Sequence, residues 1–317
     1  MNEPALQPFI ETKQYLRFVE FCDACRRHRY IGICYGAPGV GKTRSARHYS
    51  RADQIGSYVE RYRPNRARPS TGDLNDIAGH DIVFYTAAVL NSPKQISTDI
   101  SRLRHDLLSL VRQQISVVNE EMRASLQRRE KEEHDKWYES GSWFTEQKPN
   151  QAEREYLKAC VNYTRRYGEA QDPTRLIIVD EANHLKVAGL EQLRAIFDRG
   201  GIGLIFMGME GIEKQLARYP QLYSRVGFVH EFKVLAETEA RSVLKYHQWR
   251  LAGVVLPSEA LSDDTCVAAI LRITGCNFRL LDQLLTQISR VLEVNQLDKV
   301  TPAVVELART SLVIGTA

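Results

Sequence analysis

Ile31-Gly32-Ile33-Cys34-Tyr35-Gly36-Ala37-Pro38-Gly39-Val40-Gly41-Lys42-Thr43 joins an apolar run to a glycine-rich segment that ends in Lys-Thr. Ile31 to Tyr35 is a short apolar run that reads as a strand, and the residues after Thr43 have helical composition. Between them, Gly36 to Thr43 fits the pattern G-x-x-x-x-G-K-[ST] in full, in the strand-loop-helix context the pattern requires. Glycines there allow backbone N–H groups to converge on phosphate oxygens at a helix N-terminus. Gly36, Ala37, Pro38, Gly39, Val40 and Gly41 are therefore the predicted phosphate cradle, with Lys42 as its point charge and Thr43 as a hydroxyl for Mg²⁺.

Working outward, residues 11 to 28 carry Tyr15, Leu16, Phe18, Val19 and Cys22 at helical spacing. Four more strand-like runs follow Tyr35: Ile82 to Thr86, Leu176 to Val179, Ile202 to Met207 and Phe228 to Phe232. Segments of helical composition separate them, so the fold class is α/β with a mostly parallel sheet covered on both faces. The gap between the second and third strands is too long for one crossover. Residues from about 92 to 170 must hold extra helices, and the charged run Ser101 to Tyr138 predicts a long solvent-facing helix or a helical hairpin, with a turn at Gly141-Ser142. After Phe232 only helical patterns remain, at Glu237 to Leu251, Ser262 to Thr274, Arg279 to Val294 and Pro302 to Leu312. The expected division is an α/β domain over 1–234 and an all-helical domain over 235–317.

A metal site beside the loop needs an acidic element. Leu176-Ile177-Ile178-Val179-Asp180-Glu181 supplies one, because two carboxylates end a buried strand where parallel sheets bind ligands. Asp180 is expected to hold Mg²⁺, chiefly through water, and Glu181 to orient or polarise the attacking water. Hydrolysis also needs a cation where negative charge develops, from the same or a neighbouring chain. Arg225 first, and Arg218 second, are the candidates in Arg218-Tyr219-Pro220-Gln221-Leu222-Tyr223-Ser224-Arg225; surface arginines in a loop are the alternative. Arg279 opens a helix whose leucines 280, 281, 284 and 285 read as core. A cation is unfavourable in a first helical turn, so either an anionic ligand or a structural ion pair faces it.

The chain has 317 residues, 43% hydrophobic and 26% charged, which gives core material for two globular domains and excludes pervasive disorder. No apolar run reaches membrane-spanning length, and the start MNEPALQPFIETK lacks a secretory layout, so the expected location is cytoplasmic, with no membrane partner. Six cysteines are too few for a disulfide scaffold. Cys22, Cys25 and His28 share a helix face and resemble part of a zinc site without an evident fourth ligand; two buried thiols and a helix-end histidine are the other reading. The net charge of +4 says little about partners. Locally, Arg44, Arg47, Arg51, Arg61, Arg63, Arg66 and Arg68 face only Asp53 and Glu60, which is either a phosphate-meeting stretch or a solvated basic loop.

Taken in order, the phosphate loop, the Asp180-Glu181 pair, the arginine before the last strand and the helix start Gly275-Cys276-Asn277-Phe278-Arg279 resemble the AAA+ ATPases over nearly the whole chain. Within them, Asp180-Glu181-Ala182-Asn183-His184-Leu185, Gly208-Met209-Glu210-Gly211 and Tyr219 to Arg225 look most similar to the DNA transposition regulators TnsC and TniB, with MuB and IstB more distant. The resemblance implies a five-stranded parallel sheet of order 5-1-4-3-2, a C-terminal all-helical lid, and ATP with Mg²⁺ as cofactors. It implies that Arg279 is the lid's sensor arginine, that Arg225 is an arginine finger, and that Phe9 to Thr12 lie near the adenine. At the sensor-one position, where relatives carry Thr or Asn after the glycine, Met209 follows Gly208, leaving Glu210 or Asn183 as substitutes. The resemblance also implies backbone contacts to duplex DNA after the second strand, at Lys94 with Arg102 and Arg104; the two arginines read equally as a solvated helix face.

The implied function is an ATP-dependent DNA-binding regulator of transposition. It assembles as a ring or helical filament of identical copies, recruits a transposase and a targeting factor, and is released by ATP hydrolysis. A helicase loader or replication initiator shares every ATP-site feature, and a regulatory ATPase acting on a protein partner without DNA is the alternative from a different class.

Overall fold

The computed structural model describes residues 9–61, 79–141, 151–252 and 263–311. Arg63, Arg66 and Arg68 of the basic run, Ser142 of the expected turn and Leu312 lie outside the described residues.

Five strands form one sheet: β1 (Ile31–Tyr35), β2 (Ile82–Thr86), β3 (Leu176–Asp180), β4 (Gly203–Gly208) and β5 (Val226–Glu231). Their order is β2-β3-β4-β1-β5 and every neighbouring pair is parallel, which is the 5-1-4-3-2 sheet expected. Burial explains how legible each strand is. All residues of β3 and β4 are buried, and so are the first four of β1, so these central strands read as unbroken apolar runs. β5 is an edge strand that alternates half-buried and exposed residues. It starts two residues before Phe228 because Gly227 lies under the Tyr30 ring, where a Cβ would come within 2.6 Å of ring carbons.

Helix α1 (Lys13–His28) begins at Thr12, whose hydroxyl accepts from the Tyr15 N–H at 3.1 Å, and buries Phe18, Cys22 and Cys25 against the sheet. Burial raises the thiol of Cys22 well above the ordinary range and pushes that of Cys25 up to about 12, while His28 stands exposed at the helix end. α2 (Lys42–Tyr49) and α3 (Ala52–Arg61) follow the phosphate loop.

The long segment between β2 and β3 is a helical hairpin. α4 (Pro93–Glu139) is one helix of 47 residues, capped by Ser92 with Pro93 in its first turn, and spans about 70 Å. α5 (Gln151–Glu169) returns along it. Near the sheet α4 buries Ile96, Ile100 and Leu107. Farther out the hairpin is held by polar and stacking contacts: Arg129 pairs with Glu155 at 3.0 Å, and the Arg123 guanidinium lies over the rings of Tyr156 and Tyr163.

α6 (Val187–Asp198) joins β3 to β4, and α7 (Ile212–Ala217) with α8 (Pro220–Tyr223) joins β4 to β5. Then come α9 (Glu237–Ala252), α10 (Asp264–Thr274), α11 (Phe278–Asn295) and α12 (Pro302–Thr310). Phe232 packs into the sheet core, whereas Leu235 belongs to a second core built from Leu244, Ile270, Leu281, Leu284, Leu285, Ile288 and Val305. Leucines 281, 284, 285 and 292 recur on one face of α11, and burying each stabilises the fold by about 2 kcal/mol.

Candidate functional site

β1 delivers the chain to Gly36 at the C-terminal edge of the sheet, between β4 and β5. The turn that follows depends on glycine twice. Gly39 has φ +82° and Gly41, the N-cap of α2, has φ +103°, a backbone region that side chains rarely adopt. The loop therefore ends with its N–H groups at a helix N-terminus, where an anion is favoured. The Lys42 ammonium donates to the carbonyls of Gly36 at 2.7 Å and Ala37 at 2.8 Å, which holds it over the loop. Burial pushes Lys42 below the ordinary lysine range, against the opposing pull of Cys34, Asp180 and Glu181.

The acidic pair sits beside it. Asp180 ends β3, is 3% exposed, and accepts from the Thr43 hydroxyl and from the Glu181 N–H at 2.9 Å. Burial raises its carboxyl above the usual range, with the Thr43 hydrogen bond opposing. A desolvated carboxylate next to a hydroxyl is a donor set that fits a hard divalent cation such as Mg²⁺. Glu181 has φ +53°, a left-handed conformation unusual for a residue with a side chain, and begins the tight turn Ala182–His184.

That turn brings Asn183 to the end of β4. Its Oδ1 accepts from the Met209 N–H at 2.7 Å and lies so close to Gly208 that a Cβ there would come within 2.1 Å. Met209 and Glu210 are exposed. Of the two substitutes expected for the sensor-one residue, Asn183 is the one fixed at the strand end.

From the other side, α11 closes onto the loop. The Asn277 side chain caps α11, accepting from the N–H of Arg279 at 3.0 Å, and its Nδ2 donates to the Pro38 carbonyl at 2.8 Å. The Arg279 N–H also donates to the Gly39 carbonyl at 3.1 Å. A cavity of about 1650 Å³ is lined by the loop, Thr43, Asp180, Glu181, Met209 and Arg279. Phe9, Ile10 and Thr12 line it too, and Phe9 stacks on His48 with ring centroids 3.8 Å apart. Two residues of this wall carried no role in the sequence reading, His48 and Asp282 one turn beyond Arg279, and neither did Asn277, whose contact with the loop spans 239 positions. Only the apolar spacing of α11 hinted at Asp282, by placing 279 and 282 off the buried face.

The combination of sheet order, glycine-borne loop and acidic strand end agrees with what comparison of the whole chain gives. Residues 25–216 match the family described as AAA domain. The chain belongs to the AAA family. Over 314 residues it is also 40% identical to a Staphylococcus aureus protein described as a potential ATP-binding protein, with 98% of each chain aligned. Among solved structures it is similar to the RuvB Holliday junction branch migration motor of Thermotoga maritima, at 14% identity and a TM-score of 0.50, covering 97% of this chain and 73% of that one. At that identity the likeness concerns the fold. This AAA chain is an ATPase.

The remaining site residues lie elsewhere. Arg225 immediately precedes β5, and its carbonyl accepts from the Ile31 N–H at 3.1 Å, which puts it at the N-terminal edge of the sheet. The phosphate loop leaves the opposite edge, about 16 Å away along the five residues of β1. Arg218 caps the end of α7 and is exposed, with no side-chain partner among the described residues. Lys94 is exposed in the first turn of α4, Arg102 pairs with Asp99 at 3.4 Å, and Arg104 is tied to Asp172 at 2.5 Å. The loop before Lys94 is anchored to the turn after Glu181: Asn91 Nδ2 donates to the His184 carbonyl at 3.2 Å, leaving Val89 and Leu90 exposed at the tip. In the described residues no helix is long and apolar enough to cross a membrane.

Proposed function

We propose that this AAA ATPase is an ATP-dependent switch that assembles on duplex DNA as a ring or filament, recruits a transposase and a targeting factor, and leaves when ATP is hydrolysed. The observation that carries the assembly part is the separation of the two charged elements: Arg225 and the phosphate loop are at opposite edges of one sheet. An arginine there has no reach to its own loop, and head-to-tail stacking of identical copies brings it to the next one. Nucleotide occupancy and oligomer stability then become one linked equilibrium.

Within each site, loop N–H groups and Lys42 hold the triphosphate, and Arg279 faces its terminal end from the helical lid of 235–317. Thr43 and Asp180 would hold Mg²⁺, which when bound neutralises charge on the phosphate oxygens. Glu181 accepts a proton from the attacking water as the oxygen bonds to the γ-phosphorus and the bond to ADP breaks, while Asn183 orients that water and Arg225 of the adjoining copy stabilises the departing charge. Phe9 to Thr12 border the adenine. Lys94, at an exposed helix start linked through Asn91 to the turn after Glu181, contacts DNA phosphates with Arg102, and Arg104 with its Asp172 pair is the weakest of the three. The motifs shared with transposition regulators support the choice of partner.

Electron microscopy with a non-hydrolysable ATP analogue, with and without duplex DNA, tests the reading. Assemblies whose length follows the DNA are expected, and Lys42→Ala should give neither nucleotide binding nor assembly. Assembly indifferent to DNA would instead assign the chain to ATPases acting on a protein partner.

A further inference from the structure

Asp198 ends α6, where a carboxylate is disfavoured by the helix dipole. Cations gathered around it offset that. Its Oδ1 accepts from Arg225 Nε at 2.6 Å and its Oδ2 from Arg225 Nη2 at 3.0 Å, a two-point grip on one edge of the guanidinium. Arg194, one turn back on the same helix, donates from Nη1 to Asp198 Oδ2 at 2.7 Å and from Nε to Glu191 at 2.9 Å. On its other side Arg225 Nη1 donates to the Gln221 carbonyl. A guanidinium has five N–H groups. Three are engaged within the chain, so two remain, one on each terminal nitrogen, for an acceptor from outside.

The ion pair is at the surface, with 33% of the Arg225 side chain and 31% of Asp198 exposed, and such pairs add little to stability. Its geometry does something else. A free arginine explores many rotamers, whereas this one is clamped at two edges with its remaining donors unused. We propose that Asp198 is a positioning residue for the reaction: it holds the Arg225 guanidinium in one place at the sheet edge, so that it meets the nucleotide of an adjoining copy without first being ordered. This rests on the reading that Arg225 acts across a subunit boundary.

The test measures ATP turnover of the full chain with duplex DNA for Asp198→Asn, Arg225→Ala, the double variant and Arg194→Ala. Asp198→Asn should lower kcat about tenfold, with unchanged affinity of the unassembled protein for a fluorescent ATP analogue and an unchanged Tm. It should add nothing to Arg225→Ala, because the residue it positions is already gone. Arg194→Ala, which leaves the clamp on Arg225 in place, should turn over ATP at the normal rate. Asp198→Asn with normal kcat beside a slow Arg225→Ala overturns the role of Asp198 alone. An equal further loss in the double variant also overturns it, since Asp198 would then act independently of Arg225. Normal turnover by Arg225→Ala overturns the underlying reading of the arginine itself.

Discussion

The two edges of the sheet, one at each end of β1, are built on opposite principles. At the C-terminal edge charges are desolvated: Lys42 is pushed down and Asp180 up by burial, and Glu181 and two loop glycines hold left-handed backbone. At the N-terminal edge charges are matched by partners within the chain, the part-exposed Arg225 by Asp198 and Arg26 by the buried Asp81 at 2.7 Å. The first edge is held in an unfavourable electrostatic condition that, on the proposed reading, a bound phosphate and cation would relieve. The second is self-satisfied and contributes only what it can present to another molecule. Under the proposed reading each edge alone is incomplete for hydrolysis, and stacking of copies brings the two together.

Variants that unbalance one edge at a time sharpen this contrast. Arg225→Ala should lower kcat by about 10³-fold with nucleotide affinity of the single subunit unchanged, read from steady-state turnover and fluorescent-nucleotide titration. Glu181→Gln should reduce turnover by about 10²-fold while retaining ATP, so assemblies on DNA persist after a chase with unlabelled protein. The smallest effect is on stability. Because the folded carboxyl of Asp180 is raised above its unfolded value, its ionised form opposes folding at every pH above that unfolded value, about 3.9. Asp180→Asn should therefore raise the nucleotide-free Tm at neutral pH by about 2–4 °C, and the gain should vanish in acid. A neutral-pH loss of stability in that variant would mean that Asp180 is satisfied without a cation.

Much of the C-terminal edge was legible in the sequence, because glycine spacing and an apolar run leading into Asp-Glu are local signals. The sheet order came from the family resemblance, and the central strands were readable because they are buried on both faces. Local reading failed where a contact depends on the fold. β5 begins at Val226 and not at the expected Phe228, with Gly227 seated under the Tyr30 ring, a contact that no local spacing shows. The clamp of Asp198 on Arg225 joins residues 27 apart, and Asn277 reaches Pro38 across 239, so neither leaves a spacing to find. The charged segment announced a long helix or a hairpin without choosing between them: beside the buried Leu126 and Ala159, the pairing uses Arg123 over two tyrosines, a contact that apolar periodicity does not reveal.

Mixing two inactive variants shows whether Arg225 completes a neighbouring site. Lys42→Ala subunits have no working phosphate loop but keep Arg225, and Arg225→Ala subunits keep the loop but lack the arginine. If the arginine serves the neighbouring site, the equimolar mixture should recover ATP turnover far above either variant alone, rising with total protein concentration. Turnover that stays at the sum of the two separate backgrounds, in mixtures shown to co-assemble, would contradict the account.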